Sequence, residues 1–340
     1  MNEIILSVKD LKIHYATKRG LLKAVDGVTF SVAKSQNLGL VGESGCGKTT
    51  AAKSILRLLP KNASIAGGEI LLKGRDLTKL PLEEIRKLRW QEVSMIPQSA
   101  MNALDPVYTV GEQIVEAIKA HSHVTHKEAM ERVNYLFDLV GINPERINDY
   151  PHQFSGGMKQ RVTIAMALAL NPSLILADEP TTALDVIVQA QILKRIRELQ
   201  EAIGSSMIMV THDMSVISET CDHVAVMYAG KVVESGPIKA IFEEACHPYT
   251  LGLRNAFPSI FGEAKRLISI PGTPPNLISP PPGCLFRPRC PFAVEICSVQ
   301  EPAMVEVSLG HRVACHRIDK VDEIREMAAM EETWSKIQAV

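Results

Sequence analysis

Short apolar runs alternate with longer amphipathic segments along most of the chain. The apolar runs predict strands at 38–41, 91–98, 173–180 and 207–210. Between the last two strands, apolar side chains recur at helical spacing, which predicts a helix over 188–203. Strands that alternate with helices favour a mostly parallel sheet covered on both faces. We therefore predict an α/β fold.

An antiparallel β-layer and a helical block interrupt this alternation. Segments 3–15 and 25–32 predict two antiparallel strands, and further hairpins are expected at 67–74 and 224–234. Between about residues 100 and 170 the spacing is helical, with predicted helices at 110–120, 127–140 and 157–170. This block lacks buried-strand runs, so we predict a helical insertion within the α/β core.

The character of the chain changes near residue 235. Ten prolines fall between Pro258 and Pro302, and no strong periodicity survives there. Such a segment buries little apolar surface and needs a covalent or metal staple. The tail, 319–338, predicts a charged, solvated amphipathic helix. With 340 residues, we predict two domains, 1–235 and a loop-rich, cysteine-containing extension at 236–340.

Composition narrows the class of protein. The net charge of −1 and the aromatic share of 5% argue against a nucleic-acid surface. The N-terminal residues lack the basic and apolar regions of a signal peptide, and the most apolar stretch, 162–170, is too short to span a bilayer. We therefore expect a cytosolic protein, in which seven cysteines favour thiols or metal ligands over disulfides.

A glycine loop at 42–49 fits G-x-x-x-x-G-K-[ST] between a predicted strand and a helix expected at 51–59. Its backbone N–H groups and the helix N-terminus would hold phosphate. Lys48 would reach the β- and γ-phosphates, and the Thr49 hydroxyl would be a Mg²⁺ ligand. The candidate nucleotide contacts are Gly42, Ser44, Gly45, Cys46, Gly47, Lys48, Thr49 and Thr50.

Two carboxylates close the apolar run at 173–180. Asp178 is the expected partner of Thr49 and Mg²⁺, and Glu179 is placed to act as general base toward an attacking water. Gln98 is a candidate amide ligand of Mg²⁺ and the water, and His212 a candidate donor to the γ-phosphate. The structural alternatives are a helix-capping acidic pair and an ordinary structural histidine.

A second phosphate-binding helix end is predicted at Ser155, which would cap a helix whose first turn is bared by Gly156 and Gly157. One active site does not need two such ends on one chain. We infer that this end closes a partner's nucleotide site and that the partner's end closes this one. Tyr15 is either an adenine-stacking ring or an ordinary strand tyrosine.

Together these motifs, in this order and with 183–185, resemble the ATP-binding subunit of ABC transporters over the first 235 or so residues. Segments 150–158, 178–186, 247–250, 271–275 and 283–286 are similar to the ATPases of dipeptide, oligopeptide and nickel importers. The resemblance implies that Tyr15 stacks on adenine, that Gln98 senses the membrane subunit, and that Asp185 bridges two ATP sites. Phe154 and Met158 depart from the family's commoner leucine and glutamine.

The resemblance also implies partners and a place in the cell. ATP with Mg²⁺ would close this chain against a second ABC ATPase subunit, a paralogue rather than an identical chain, although a homodimer stays open. Two membrane-spanning permease subunits, and indirectly an extracytoplasmic solute-binding protein, would complete a peptide importer at the cytoplasmic face of the cell membrane. The alternatives are a nickel or other small-solute importer and a soluble, non-transport ABC ATPase.

Four cysteines of the extension, Cys284, Cys290, Cys297 and Cys315, form the spacing C-x5-C-x6-C-x17-C. Four thiolates suit tetrahedral Zn²⁺ or a [4Fe–4S] cluster, and free thiols are the third possibility. The wide spacing favours the bulkier centre. Resemblance to the peptide-importer ATPases likewise implies an iron–sulfur cluster. We expect a structural role for it, since nothing in the sequence resembles an electron partner.

Overall fold

The structure is a computed structural model that describes residues 3–98, 103–181, 186–256 and 268–335. Its strands are β1 (Ile4–Thr17), β2 (Gly20–Ala33), β3 (Asn37–Val41), β4 (Ala63–Leu72), β5 (Arg75–Asp76), β6 (Val93–Ile96), β7 (Leu174–Asp178), β8 (Ser206–Thr211), β9 (His223–Tyr228), β10 (Lys231–Pro237), β11 (Val305–Ser308) and β12 (His311–Val313). Its α-helices are α1 (Lys48–Ile55), α2 (Leu82–Leu88), α3 (Val110–His121), α4 (His126–Leu139), α5 (Gly156–Ala167), α6 (Val186–Ile203), α7 (Met214–Thr220), α8 (Ile238–Glu243), α9 (Pro248–Asn255), α10 (Val321–Ala328) and α11 (Glu331–Ser335).

The chain divides into two compact units. The first comprises Met1–Ile5, Val32–Asn37 and Lys79–Val210, and the second comprises Leu6–Ser31, Leu38–Thr78 and Thr211–Val340. In the first unit, β6, β7 and β8 form parallel pairs. Every residue of β7 and β8 is buried, as expected for central strands of a sheet covered on both faces.

Helices α3, α4 and α5 form the helical block of the first unit. Thr109 and Thr125 cap α3 and α4, and in each case the glutamate three residues on completes a capping box. These reciprocal hydrogen bonds satisfy N–H groups that a helix start leaves open. The block is helical where the apolar spacing predicted it to be.

The second unit holds an antiparallel sheet in the order β2-β1-β4-β5. It also contains β3, which pairs in parallel with β9, and a hairpin of β9 and β10 whose outer strand pairs with β12. The predicted fold class, a phosphate-loop α/β core with an antiparallel β-layer, is confirmed. Strand β10 runs through residue 235, where the sequence predicts a domain boundary. That boundary stays a prediction.

The C-terminal tail differs from its prediction. In place of one solvated helix over 319–338, helix α10 ends at Ala328 and α11 begins at Glu331. Ile324, Ala328 and Trp334 are buried, and the Trp334 indole N–H donates to the Ala328 carbonyl oxygen at 2.9 Å. The apolar face of the tail therefore packs on the protein. Periodicity predicts that this face exists but does not reveal what it packs against.

No helix within the described ranges combines the length and the apolar character that crossing a bilayer requires.

Candidate functional site

The loop between β3 and α1 has the backbone of a phosphate cradle. Gly42 and Gly47 adopt φ values of +153° and +102°. A Cβ at Gly42 would lie 2.1 Å from the Met227 carbonyl oxygen, and one at Gly47 would lie 2.4 Å from that of Ala24. Both positions therefore require glycine on grounds of space, and Gly47 also by its left-handed backbone. Helix α1 starts at Lys48, three residues earlier than predicted, so its first N–H groups belong to the loop.

Lys48 is buried inside this loop. Its ammonium donates to the carbonyl oxygens of Gly42 and Glu43 at 2.7 and 2.9 Å, and its Nζ lies 3.7 Å from Cys46 Sγ. Burial raises the pKa of Cys46 above its ordinary value, which favours the neutral thiol beside the loop. A phosphate entering the cradle would offer the Lys48 ammonium anionic oxygens in place of these carbonyls.

Tyr15 is half-buried on β1, and its Oη lies 3.2 Å from Thr50 Oγ1. This contact places the Tyr15 ring beside the first turn of α1. The position suits a ring that stacks on a base attached to the phosphates. An ordinary strand tyrosine would not need this contact with Thr50.

The acidic end of β7 lies in the first unit. Asp178 is the buried last residue of the strand, and Glu179 follows with a left-handed φ of +46°. The Gln98 side-chain amide donates to Glu179 Oε2 at 2.8 Å. The structure thus brings together the predicted general base and the predicted amide ligand, which are 81 positions apart in the chain.

Helix α5 presents the second predicted phosphate-binding end. Ser155 is its N-cap, and the Ser155 hydroxyl accepts from the Met158 N–H at 3.4 Å. Ser155 and Gly156 are exposed, and a Cβ at Gly156 would meet nothing within 4 Å. The start of α5 is therefore open to an approaching anion.

Phe154 and Met158, the two departures from the family pattern around this helix end, both contact the Arg146 guanidinium. Its guanidinium carbon lies 4.5 Å from the centre of the Phe154 ring, and its NH1 group lies 3.3 Å from Met158 Sδ. Phe154 offers an aromatic face and Met158 a polarisable sulfur to the same cation. The departures fit this local packing and leave Ser155 and its glycines unobstructed.

Two further predicted site residues are His212 and Asp185. His212 is exposed between β8 and α7, whose N-cap is the neighbouring Asp213. Asp185 lies outside the described residues.

The four cysteines of the extension converge. Cys284, Cys290, Cys297 and Cys315 all line one small cavity of the second unit. Burial raises the pKa of Cys315 to about 11, and it also raises the pKa values of Cys284 and Cys290. Backbone N–H groups point at the sulfurs, including that of Arg317, 3.4 Å from Cys315 Sγ. With their pKa values raised in this way, the thiols of Cys284, Cys290 and Cys315 would stay protonated near neutral pH without a cation.

The spacing of the sulfurs bears on which centre they fit. A tetrahedral zinc site with Zn–S distances of about 2.3 Å places its sulfurs about 3.8 Å apart. Among the described residues, the metal-ligand trio whose donor atoms lie within 4.8 Å of one another is Glu234, Cys246 and His311. No three of the four converging cysteines form such a trio.

The Glu234 trio is a buried hydrogen-bond network. Glu234 accepts from the backbone N–H groups of Cys246 and His247 at 2.6 and 3.1 Å, and it contacts His311 Nε2 at 2.8 Å. Arg325 also lies 3.4 Å from Cys246 Sγ. Because the carboxylate is already satisfied and a cation adjoins the sulfur, this trio is structural.

His247, beside the cysteine cavity, gives the extension a predicted pH dependence. Its Nδ1 accepts from the Tyr249 N–H at 3.0 Å, and burial lowers its pKa from 6.5 to about 4. Between these two values the unfolded chain binds a proton that the folded chain does not, so the free energy of unfolding falls as pH falls. We expect a loss of about 3 kcal/mol over this range.

Denaturant unfolding between pH 7 and pH 4 measures this effect, with His247→Asn as the comparison because asparagine keeps an acceptor for the Tyr249 N–H. The difference in unfolding free energy between parent and variant should change with pH by that amount. A difference independent of pH would show that His247 is not held neutral.

The phosphate loop has contacts in the C-terminal extension that the motifs did not predict. The Glu43 N–H donates to Tyr249 Oη at 2.8 Å, and the Glu43 carboxylate accepts two hydrogen bonds from Arg289 at 2.7 and 2.8 Å. Glu43 and Arg289 are 246 positions apart, so no local pattern links them. The weak signal available was an arginine immediately before Cys290.

Comparisons with known proteins show the family of the chain. A model of the ABC transporter family matches residues 25–182, and a model of the oligopeptide/dipeptide transporter C-terminal region matches residues 233–297. The chain is 46% identical over 323 residues to the probable peptide ABC transporter ATP-binding protein y4tR of Sinorhizobium fredii, and the match covers 94% of this chain and 96% of that protein. It is 46% identical over 316 residues to the dipeptide transport ATP-binding protein DppD of Bacillus subtilis, with 92% and 94% covered.

A solved structure with the same core is the dimeric ATP-binding cassette MJ0796 bound to ADP and Pi. It is 27% identical, with a TM-score of 0.62, and the match covers 68% of this chain and 98% of that one. The chain therefore belongs to the ABC transporter ATPases, among the ATP-hydrolysing subunits that carry the oligopeptide/dipeptide transporter C-terminal region.

Proposed function

We propose that this chain binds and hydrolyses Mg·ATP at its phosphate loop and thereby powers import of peptides through a membrane complex. The observation that carries the proposal is 46% identity, over 94% and 92% of this chain, to proteins named for peptide transport. None of the relatives compared above is named for nickel, so the nickel alternative is not favoured.

At the nucleotide site, Lys48 would bind the β- and γ-phosphates, and Thr49 and Asp178 would hold Mg²⁺. Glu179 would accept a proton from the attacking water, with Gln98 orienting the pair and His212 donating to the γ-phosphate. The hydrogen bond from Gln98 to Glu179 supports this pairing. Tyr15 would stack on the adenine, and Asp185 would bridge the two ATP sites of a dimer.

A second ATPase subunit would complete each site. The exposed cap formed by Ser155, Gly156 and Gly157 offers N–H groups to an anion, and we assign that anion to the nucleotide of the partner subunit. The dimeric state of the related cassette bound to ADP and Pi supports this arrangement. The partner would be a paralogue or a second copy of this chain.

The membrane subunits would dock on the helical block. The segment that leads into α3 exposes two large apolar side chains, Val107 at 72% and Tyr108 at 55%. Apolar residues this exposed suit a protein interface better than water. Such docking would place the chain at the cytoplasmic face of the membrane, where hydrolysis could reset permease subunits that receive peptide from an extracytoplasmic binding protein.

Peptide uptake into vesicles that contain the assembled complex tests the proposal. Uptake should require ATP on the side of the membrane that carries the ATPase subunits. It should stop when Glu179 is replaced by glutamine. Uptake that continues without ATP, or ATP hydrolysis that no peptide stimulates and that drives no uptake, would exclude the proposed function.

For the cysteine cavity, we propose a [4Fe–4S] cluster held by Cys284, Cys290, Cys297 and Cys315. The convergence of the four cysteines on one cavity and the N–H groups directed at their sulfurs support it. The bound cluster would clip the proline-rich segment together. In that role the cysteines fix the backbone on both sides of Arg289.

Anaerobic purification of the full chain tests the cluster. We expect a brown protein that absorbs visible blue light and contains iron and acid-labile sulfide in equal amounts, both lost in Cys290→Ser. Cys221→Ser is the matched control, because Cys221 is a buried thiol remote in sequence from the four. A colourless protein with one zinc ion, or one whose four thiols all react freely, would contradict the proposal.

A further inference from the structure

An acidic side chain stands in the phosphate loop, where electrostatics should disfavour it. Glu43 directly follows Gly42, in a loop whose other groups attract the most highly charged part of a nucleotide. A free carboxylate there would repel a triphosphate. A glutamate nonetheless occupies this position, and a cationic side chain of the extension pairs with it.

Arg289 neutralises Glu43 with a forked pair of hydrogen bonds. Its NH1 and NH2 groups donate to the two carboxylate oxygens at 2.7 and 2.8 Å, while its Nε donates to the Pro271 carbonyl oxygen at 2.9 Å. The Arg289 side chain is 4% exposed and that of Glu43 26%. A bidentate pair with so little access to water is screened far less by salt than a surface ion pair.

Tyr249 fixes the backbone of the same residue. Its Oη accepts the Glu43 N–H at 2.8 Å, and its ring packs against Tyr228 and Phe286 at centroid distances of 4.6 and 5.4 Å. Tyr249 is completely buried. The side chain and the backbone of Glu43 are therefore both held by the C-terminal extension, one from the cysteine-rich segment and one from α9.

We propose that Arg289 and Tyr249 are positioning residues of the phosphate loop, through which the C-terminal extension sets the affinity for the triphosphate. Arg289 cancels the charge of Glu43, and Tyr249 holds the Glu43 N–H in place. This inference rests on the proposed role of the loop in binding ATP. Because Arg289 lies between Cys284 and Cys290, the same contact joins the cysteine-rich segment to the nucleotide site.

Equilibrium binding of ATP to the full-length chain, with and without Mg²⁺, tests the proposal. In Arg289→Met the unpaired Glu43 should raise the Kd of Mg-free ATP about tenfold, the factor that corresponds to about 1.4 kcal/mol. The effect should be smaller for ADP than for ATP when both are free of Mg²⁺, smaller again for Mg·ATP, and reduced by added salt, since each lowers the repulsion. Arg289→Lys keeps the charge and should recover most of the affinity.

A double-mutant cycle separates charge from simple damage. Glu43→Gln should bind ATP at least as tightly as the parent, and adding Arg289→Met to it should then change the Kd less than threefold, because no carboxylate remains to repel phosphate. A merely structural role for Arg289 predicts the same loss with and without Glu43, and no dependence on nucleotide charge. That result would overturn the inference.

Lys48→Ala distinguishes failure of the inference from failure of the proposed site. If Lys48→Ala binds ATP like the parent, the loop is not the nucleotide site. If Lys48→Ala loses binding while Arg289→Met stays within twofold of the parent, the loop is the site and the inference is wrong. Should Arg289→Met not fold, Tyr249→Phe carries the test, with a Kd raised about threefold for loss of one hydrogen bond and an unchanged Kd overturning the inference.

Discussion

Replacing Glu179 with glutamine is expected to lower ATP hydrolysis by about 10²- to 10⁴-fold, the usual contribution of a general base. The amide has the same shape but cannot take a proton from water. ATP binding should persist, because the substitution leaves unchanged the loop's own hydrogen bonds from Lys48 to the carbonyl oxygens of Gly42 and Glu43. The variant complex should therefore accumulate in an ATP-bound state, and peptide uptake should stop.

Backbone geometry makes this substitution a clean one. Glu179 has a left-handed φ of +46°, and glutamine tolerates that conformation about as well as glutamate. Hydrolysis and ATP retention are measured on the assembled complex, with Glu198→Gln as control because Glu198 pairs with Arg195 on the exposed face of α6. Hydrolysis within threefold of the parent would remove Glu179 from the chemical step.

Replacing Ser155 with arginine is expected to lower ATP hydrolysis by the assembled complex on the order of 10²-fold, comparable to the loss of a positioned donor at a charged transition state. The change removes the cap of α5 and places a long side chain over the exposed first turn. ATP binding by the isolated chain should not change, since the Ser155 end serves the nucleotide of the other subunit.

Ser155→Thr is the matched control. Threonine supplies the same capping oxygen, and the space in front of Gly156 is open, so most activity should remain. If both variants lost activity equally, shape at this position would matter and phosphate contact would not. If Ser155→Arg kept full activity, the α5 end would have no part in hydrolysis.

Features that depend only on residues close together in the sequence could be predicted from it. The phosphate loop, the buried strand β7 and the cap of α5 each depend on local spacing and on residue types that few other structures require. The helical block was likewise predictable, because apolar spacing and capping threonines lie within one helix length of each other.

Features that depend on distant partners could not be predicted. The tail looked solvated because the buried environment of Trp334 is supplied by other parts of the extension. The short helices α7, α8 and α9 carry too few turns for periodicity to register. The contact of Glu43 with Arg289 joins two ends of the chain, and in the sequence each residue reads as an ordinary surface charge.

The central claim is that this chain's two phosphate-binding helix ends serve two different nucleotides. Photoreactive ATP trapped in the complex, followed by separation of the two ATPase subunits, shows which phosphate loop holds label. With Ser155→Arg in this chain alone, the label should disappear from the partner subunit and remain on this chain. Loss of label from this chain, with the partner still labelled, would show that both helix ends act on one nucleotide and would contradict the claim.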